Sequence, residues 1–138
     1  MSPATYLIDT SALARMAQTP DRWEEQVSAG LIAICPVIEL EVLFSARSMD
    51  ERQRLLQILR AMYGWVPMPD RVYQRAADVQ EALTKRGQHR CAGPVDLLVA
   101  ATAELSNLTV LHYDRDYETI ARMTGQPTQW LAPPGTLG

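Results

Sequence analysis

The feature that most constrains the fold is a short apolar run that ends abruptly at an aspartate. Thr5 to Ile8 shows no polar alternation, which is typical of a buried strand. Asp9 follows directly, and the hydroxyl group of Thr10 or Ser11 can cap a helix that begins there. Ligands of open α/β sheets bind at the carboxyl ends of the strands. The sequence therefore places Asp9 where such a sheet carries its functional site.

Apolar runs and helical patterns alternate along the rest of the chain. Further strands are predicted at 31–35 and 107–113, with an edge strand at 128–131 and room for a very short strand within 64–69. Helices are predicted at 11–16, 21–29, 36–46, 50–62, 70–86, 94–103 and 117–123. Strands that alternate with helices predict an α/β protein, with a parallel sheet, helices on both faces and right-handed crossovers.

The composition is that of one globular domain. The 138 residues suffice for a single full core, and 47% hydrophobic with 21% charged residues is ordinary for a soluble protein. The chain does not open on a basic region followed by an apolar stretch, and no apolar run approaches the roughly 20 residues that span a bilayer. Two cysteines, Cys35 and Cys91, are too few for a disulfide scaffold and suit a reducing compartment. We therefore expect a cytoplasmic location without membrane association.

The charge balance disfavours a nucleic-acid coat protein and does not exclude an enzyme that contacts phosphate with a few local arginines. The formal net charge is −3, which argues mildly against a protein that coats nucleic acid. The segment from Lys85 to Gly93 is basic and polar, and it is either a phosphate contact or a solvated connection.

One glutamate on the predicted helix 36–46 is expected to border the core. Val37, Leu40 and Phe44 define an apolar face at about 100° per residue. Glu41 lies roughly 70° from the centre of that face, whereas Glu39 lies more than about 120° away and is expected to face solvent. A carboxylate at the edge of the core implies a partner, a metal ion or a shifted pKa, unless its head reaches water.

Further acids occur where a helix begins or a strand ends. Asp96 lies in the first turn of a nearly all-apolar helix, where it is either a site carboxylate or a plain N-terminal cap. Asp114 follows the 107–113 strand closely and is expected to point into the site. Asp116 is either a further acid of the site or the cap of the next helix. His112 is a ligand, a base or a satisfied core histidine.

The predicted topology brings these carboxylates to one edge of the sheet. Without a comparable basic group among them, they repel one another and raise one another's pKa values. Hard divalent cations with oxygen ligands compensate such a cluster, and Mg²⁺ also binds substrate phosphate. A metal-activated water could then attack a phosphodiester in line. No Gly-rich phosphate loop, Cys/His zinc spacing or nucleophile elbow offers a rival site.

Four stretches together resemble the PIN-domain nucleases, specifically the VapC-type toxins of bacterial toxin–antitoxin modules. They are LIDTSAL at 7–13, VIELEVL at 37–43, PVDLLVAATA at 94–103 and VLHYDRDY at 110–117. Each motif alone is weak, but their order and spacing are specific and cover nearly the whole chain. The resemblance implies a PIN-like three-layer α/β/α sandwich with a central, mainly parallel sheet of about four or five strands. A single PIN-like domain is then expected over residues 1–132, and Pro133-Pro134-Gly135 ends the ordered fold before a C-terminal tail over 133–138.

The resemblance also assigns roles to the acids. Asp9, Glu41, Asp96 and Asp114 match the acidic cluster of the family, with Asp116 as a variable fifth member. Asp9, Asp96 and Asp114 are then expected to coordinate metal. Asp116 would hold a second metal, and Glu41 would complete the metal shell or orient the attacking water.

Supporting residues are carried over in the same way. Ser11 matches a hydroxyl that supports the metal site, whereas His112 and Tyr113 replace the family's usual Thr-Asn before the late aspartate. The candidate contacts for RNA phosphate are Arg15, Arg86 and Arg90.

The implied activity is that of a Mg²⁺- or Mn²⁺-dependent endoribonuclease, the toxin of a type II toxin–antitoxin pair. It would hydrolyse tRNA, rRNA or mRNA with a metal-activated water. The implied partners are a VapB-like antitoxin and a second copy of the chain in a homodimer. Two alternatives stay open: a PIN-like or DNA-directed nuclease outside a toxin–antitoxin pair, and a non-catalytic α/β module whose acids hold a metal.

Overall fold

The computed structural model describes residues 4–138, and a five-stranded parallel sheet organises them. The strands are β1 (Tyr6–Ile8), β2 (Ile32–Ile34), β3 (Gly64–Trp65), β4 (Thr109–His112) and β5 (Thr128–Trp130). The helices are α1 (Thr10–Leu13), α2 (Glu24–Ser28), α3 (Pro36–Phe44), α4 (Met49–Met62), α5 (Val72–Lys85), α6 (Pro94–Leu105) and α7 (Asp116–Thr124). Two 3₁₀ turns lie at Met16–Gln18 and His89–Cys91. The predicted three-layer α/β/α sandwich with a parallel sheet is confirmed.

The sheet is built around β1. Its strand order is β3-β2-β1-β4-β5, and every neighbouring pair is parallel. Leu7 pairs with Ala33 on β2 and with Val110 on β4, and all three are fully buried. Both faces of such a strand are covered, which explains the apolar runs without alternation in the sequence. Because β1 and β4 are parallel neighbours, Asp9 and the residues after β4 share one edge of the sheet.

The first helices begin and end at other residues than predicted. Asp9, rather than Thr10 or Ser11, makes the capping hydrogen bond of α1. α1 is one turn long, and a 3₁₀ turn follows it where the longer helix 11–16 was predicted. α2 begins at Glu24, a few residues later than predicted. A short carboxylate directly at the strand end reaches the first amides of the helix better than the hydroxyls one or two residues later.

Two later helices also start at a different residue. α4 begins at Met49 instead of Asp50, and Ser48 caps it by accepting the Glu51 N–H at 3.1 Å. Ser48 and Glu51 have the spacing of a capping box, so this start was readable from the sequence. α5 begins at Val72 instead of Asp70.

The predicted orientation of α3 is wrong. The helix buries Ile38 and Leu43 and partly buries Val37, whereas Leu40 is 64% and Phe44 is 90% exposed. The helix is thus turned by roughly half a turn about its axis relative to the prediction. An apolar helix with hydrophobic side chains all round offers several possible faces, and the choice depends on its tertiary neighbours.

The two glutamates of α3 exchange their predicted environments as a consequence. The Glu39 side chain is only 12% exposed and forms a salt bridge of 2.9 Å with Arg60. Glu41 is exposed and does not border the core. Burial therefore does not demand a partner for the Glu41 carboxylate, contrary to the prediction.

The final residues pack onto the domain. The backbone N–H of Leu137 donates to the Tyr113 hydroxyl at 2.7 Å, and the Leu137 side chain is partly buried against the core. Gly138 contacts Gln18 through two hydrogen bonds of 3.2 Å. The division into a domain over 1–132 and a tail over 133–138 stays a prediction.

Two further features of residues 4–138 bear on the sequence-based expectations. None of the helices in this range combines the length and the apolar character that crossing a membrane requires. Cys35 is a buried free thiol and Cys91 an exposed one.

Candidate metal centre

Three carboxylates converge at the edge of the sheet where the strands end. Asp96 lies in the first turn of α6, Asp114 in the turn after β4, and Asp116 is the first residue of α7. One carboxylate oxygen of each lies within 4.8 Å of those of the other two. The Asp114 carboxylate also accepts the Asp116 N–H at 2.9 Å. The bond at the start of α7 is thus made by Asp114, and the Asp116 carboxylate belongs to the cluster.

Asp9 lies beside this cluster at the end of β1 and is only 3% exposed. Its Oδ1 accepts from the Ser11 hydroxyl at 2.7 Å and from the Ala12 N–H at 3.1 Å. The Ser11 oxygen in turn accepts the Tyr113 N–H at 2.9 Å, which ties the turn after β4 to the turn after β1. Burial raises the pKa of Asp9 in spite of these bonds. Ser11 therefore holds the Asp9 carboxylate in place, and its role in supporting a metal site stays a prediction.

A tyrosine that was not predicted from the sequence completes the cluster. Tyr117, in the first turn of α7, is 1% exposed, and its hydroxyl donates to Asp96 Oδ1 at 3.3 Å. Burial, followed by the charges of Asp9 and Asp96, raises the pKa of Tyr117 well above its ordinary value, so the hydroxyl keeps its proton. The available signal was its place directly after Asp116, where an aromatic ring with a polar end follows an acid of the site.

Crowding shifts the proton affinities of the acids. Burial, followed by the charges of Asp114 and Asp9, raises the pKa of Asp96 to about 6. The hydrogen bond from Tyr117 lowers it but is outweighed. Burial and Asp114 also raise the pKa of Asp116. Both shifts follow from gathering negative charge where solvent is partly excluded.

The donor set fits a hard divalent cation. The clustered ligand atoms are all carboxylate oxygens, which Mg²⁺ and Mn²⁺ prefer. Within residues 4–138, no salt bridge reaches Asp9, Asp96, Asp114 or Asp116. A cation would compensate the repulsion that no basic side chain here compensates.

Glu41 occupies a different position from the other acids. It lies on α3, is exposed, and accepts a hydrogen bond from the Thr10 hydroxyl. Because Thr10 directly follows Asp9, this bond places Glu41 near the same edge of the sheet. Glu41 is not among the three acids whose oxygens lie within 4.8 Å of one another. Its catalytic role stays a prediction.

His112 is the satisfied core histidine among its three predicted roles. Its side chain is fully buried at the end of β4. Nε2 lies 3.0 Å from Glu118 Oε1, and Nδ1 accepts the Asp114 N–H at 3.1 Å. Burial lowers the pKa of His112 below its ordinary value. Both ring nitrogens are thus used by the protein itself.

The candidate RNA-binding arginines fall into two groups. Arg15 donates to the Ser11 carbonyl at 2.9 Å, and its guanidinium carbon lies 5.0 Å from the centre of the Tyr113 ring. Arg86 at the end of α5 and Arg90 in the second 3₁₀ turn are exposed. The Arg15 guanidinium is therefore held by the Ser11 carbonyl and the Tyr113 ring, whereas Arg86 and Arg90 present their charge to solvent.

Sequence comparison finds similar proteins over almost the whole chain. A family model of the PIN domain matches residues 6–123. The chain is 41% identical over 133 residues to Ribonuclease VapC21 of Mycobacterium tuberculosis (strain ATCC 25618 / H37Rv), covering 95% of this chain and 96% of the relative. It is 44% identical over 135 residues to Ribonuclease VapC2 of Mycobacterium tuberculosis (strain CDC 1551 / Oshkosh), covering 95% of each.

Solved structures share the fold at lower sequence identity. DNA-bound VapBC from Salmonella typhimurium matches with a TM-score of 0.75 at 14% identity, covering 94% of this chain and 99% of that one. VapBC2 from Rickettsia felis, bound to a DNA fragment from its promoter, matches with a TM-score of 0.74 at 16% identity, covering 91% and 98%. The chain therefore belongs to the PIN-domain family and, within it, to the VapC ribonucleases.

Proposed function

We propose that this protein is a Mg²⁺- or Mn²⁺-dependent endoribonuclease that serves as the toxin of a type II toxin–antitoxin pair. The observation that carries the proposal is the cluster of Asp96, Asp114 and Asp116, with Asp9 beside it. Relatives named Ribonuclease VapC support RNA as the substrate. An oxygen-only metal centre in such a protein suits hydrolysis of a phosphodiester bond.

The clustered aspartates and Glu41 have different proposed roles. The carboxylates of Asp9, Asp96, Asp114 and Asp116 would hold the cation, with Asp96 in its ionised form. When bound, the cation supplies charge stabilisation to the phosphodiester and acidifies the attacking water. Glu41, which the bond from Thr10 places near the same edge of the sheet, would complete the metal shell or orient that water.

Arginines outside the acidic cluster are proposed to bind the RNA backbone. Arg86 and Arg90 are exposed, and a guanidinium group can bind a phosphate through two parallel hydrogen bonds; both facts support this role. The substrate would be a tRNA, an rRNA or an mRNA. The proposed setting is the cytoplasm, where free thiols such as Cys35 and Cys91 persist.

An apolar groove supports a VapB-like antitoxin as the partner. The groove has a volume of about 670 Å³, and its wall includes Leu13, Trp23, Val27, Leu55, Ile58 and Met62. Thr10 and Glu41 also line it, so a segment bound there would reach the edge of the metal centre. An amphipathic segment of the antitoxin would bury its apolar side chains in the groove and obstruct access of RNA.

A second copy of the chain is proposed to cover the apolar surface of α3 and the start of α4. Leu40, Phe44 and Met49 are 64%, 90% and 64% exposed. Large apolar side chains grouped on a surface mark a contact with another molecule.

A matched pair of aspartate variants tests the activity. Asp96→Asn keeps the shape of the side chain and removes its charge, and Asp70→Asn makes the same change at an exposed position before α5. We expect Asp96→Asn to lower RNA cleavage with Mn²⁺ by about 100-fold or more, and Asp70→Asn to leave it unchanged.

Each other outcome would contradict the proposal and indicate a different site or function. Equal cleavage by the wild type and Asp96→Asn would place the activity elsewhere or in a contaminant. Metal binding without cleavage of any RNA would indicate the non-catalytic module, and cleavage of DNA alone would indicate a DNA-directed nuclease.

A further inference from the structure

A continuous series of hydrogen bonds connects β5 with the backbone of Asp114. The Thr128 hydroxyl donates to Glu118 Oε1 at 2.9 Å, and the same oxygen lies 3.0 Å from His112 Nε2. On the other side of the ring, His112 Nδ1 accepts the Asp114 N–H at 3.1 Å. The ring packs between Tyr117 and Trp130, with centroid distances of 5.2 Å and 4.7 Å.

These partners allow only one tautomer of His112. A backbone N–H can only donate, so Nδ1 must present a lone pair to Asp114. A carboxylate accepts, so the ring proton must lie on Nε2, where Glu118 takes it. Glu118 thereby stabilises the same tautomer that the Asp114 N–H requires. Protonation of Nδ1 would set two donors against each other.

The bond from His112 fixes the turn that carries two of the clustered acids. Asp114 is held at its backbone N–H by His112, while its carboxylate accepts the Asp116 N–H. The turn is therefore held by one hydrogen bond to His112 at the end of β4 and by a second between Asp114 and Asp116 within the turn. A backbone shift here would move the oxygens of Asp114 and Asp116 away from Asp96, from which they now lie within 4.8 Å.

We propose that His112 is a positioning residue of the metal centre, which Glu118 holds as the Nε2–H tautomer so that Nδ1 fixes the Asp114 turn for metal binding. This inference rests on the proposed function, because it takes Asp114 and Asp116 as metal ligands. It also assigns a role to Glu118 and Thr128, which contact none of the clustered carboxylates through a hydrogen bond within residues 4–138.

Two substitutions of His112 separate its two nitrogens. His112→Asn keeps an acceptor oxygen near the position of Nδ1, and His112→Gln keeps an amide N–H near the position of Nε2. We expect His112→Gln to weaken Mn²⁺ binding by about 10- to 100-fold and His112→Asn to stay within about threefold of the wild type. Isothermal titration calorimetry with Mn²⁺ alone measures this, and thermal unfolding confirms that both variants fold.

The pattern of the two variants decides between positioning and packing. Equal weakening in both variants would show that the ring matters only for packing, and unchanged affinity in both would show that the bond to Asp114 is dispensable. Either result would overturn the proposal. A kcat loss in His112→Gln at unchanged KM, absent in His112→Asn, is the expected kinetic counterpart.

Nitrogen-15 NMR of the histidine rings tests the tautomer without metal or RNA. His89 is the other histidine of the chain, so His89→Gln assigns the signals. We expect His112 to carry its proton on Nε2 in the wild type and in Glu118→Gln, which keeps an acceptor oxygen, and to show a smaller excess of this tautomer in Glu118→Leu, where only the Asp114 N–H still selects it. A proton on Nδ1 in the wild type would overturn the proposal. Absence of Mn²⁺ binding in the wild type would instead overturn the proposed function, and the ring signals would still decide the tautomer.

Discussion

The carboxylate of Asp96 lies in the first turn of α6, where the helix dipole favours a negative charge. Burial and the charges of Asp114 and Asp9 act against that charge and raise the pKa of Asp96 to about 6. At neutral pH the metal-free protein therefore carries a charge that its surroundings disfavour. Functional sites are where such a conflict between stability and chemistry is expected.

We predict that Asp96→Asn stabilises the metal-free protein at neutral pH. An acid whose pKa is raised by folding stabilises the folded state below its unfolded pKa and loses that contribution as the pH rises through its folded pKa. For Asp96, with an ordinary pKa of 3.8 and a folded value of about 6, the loss falls between those values. After a discount for partial exposure, the variant should gain about 1–2 kcal/mol at neutral pH.

Urea unfolding in the presence of a chelator measures this gain. The difference between Asp96→Asn and the wild type should grow as the pH rises from about 4 to about 6 and then stay constant. A variant no more stable than the wild type at neutral pH would contradict the mutual repulsion inferred for the acidic cluster.

The Tyr117 hydroxyl is expected to set the pH at which the site takes up metal. Its hydrogen bond lowers the pKa of Asp96, so Tyr117→Phe should raise that pKa and shift the midpoint of Mn²⁺ binding to higher pH. Tyr113→Phe removes a hydroxyl that contacts the backbone of Leu137 instead, and it serves as the control. Titration of Mn²⁺ across the acidic range measures both variants, and equal midpoints would refute the role of Tyr117.

At the scale of elements, the sequence predicted what depends on local order along the chain. Asp9 and Asp114 follow apolar strands, and Asp96 begins an apolar helix, so each was visible as a polar residue at the boundary of a buried element. The parallel sheet followed from alternating strands and helices. Because parallel strands bring their carboxyl ends to one edge, the same signals also grouped the acids into one site.

What the sequence could not predict depends on tertiary neighbours. α3 presents apolar side chains in nearly every direction, and its contacts bury Ile38 and Leu43 rather than Leu40 and Phe44. The hydrogen bond from Tyr117 to Asp96 joins α7 to α6, and the sequence of neither helix alone predicts this bond. The hydrophobic periodicity of one helix or strand does not predict its contacts with other elements.

The central strand offers a direct test of the core. Leu7 is fully buried on β1 between β2 and β4, so Leu7→Ala removes packing from one face at the centre of the sheet. We expect the free energy of unfolding to fall by about 2–5 kcal/mol. Tyr73 is 66% exposed, and Tyr73→Ala should change the free energy of unfolding by less than about 0.5 kcal/mol. Equal effects in urea unfolding would contradict the placement of β1.

At the scale of the whole molecule, two apolar surfaces are assigned to two different partners. The groove beside α4 is proposed to bind the antitoxin, and the surface of Leu40, Phe44 and Met49 is proposed to bind a second copy. We expect Phe44→Ser to convert a dimer to a monomer, because it removes the most exposed large apolar side chain of that surface. Ile58→Ser, in the groove, should leave the dimer intact. Sedimentation velocity distinguishes them, and a wild type that is a monomer at high concentration would refute the assignment.

The carboxylates gathered at the ends of β1 and β4 are proposed to hold the divalent cation with which this chain cleaves RNA. RNA cleavage and Mn²⁺ binding can be followed on one sample as Mn²⁺ is added to chelator-treated protein. We predict that the cleavage rate rises in proportion to the occupancy of the site, and that chelator abolishes it reversibly. Cleavage that persists in chelator, or that is already maximal before the site fills, would contradict this role of the carboxylates.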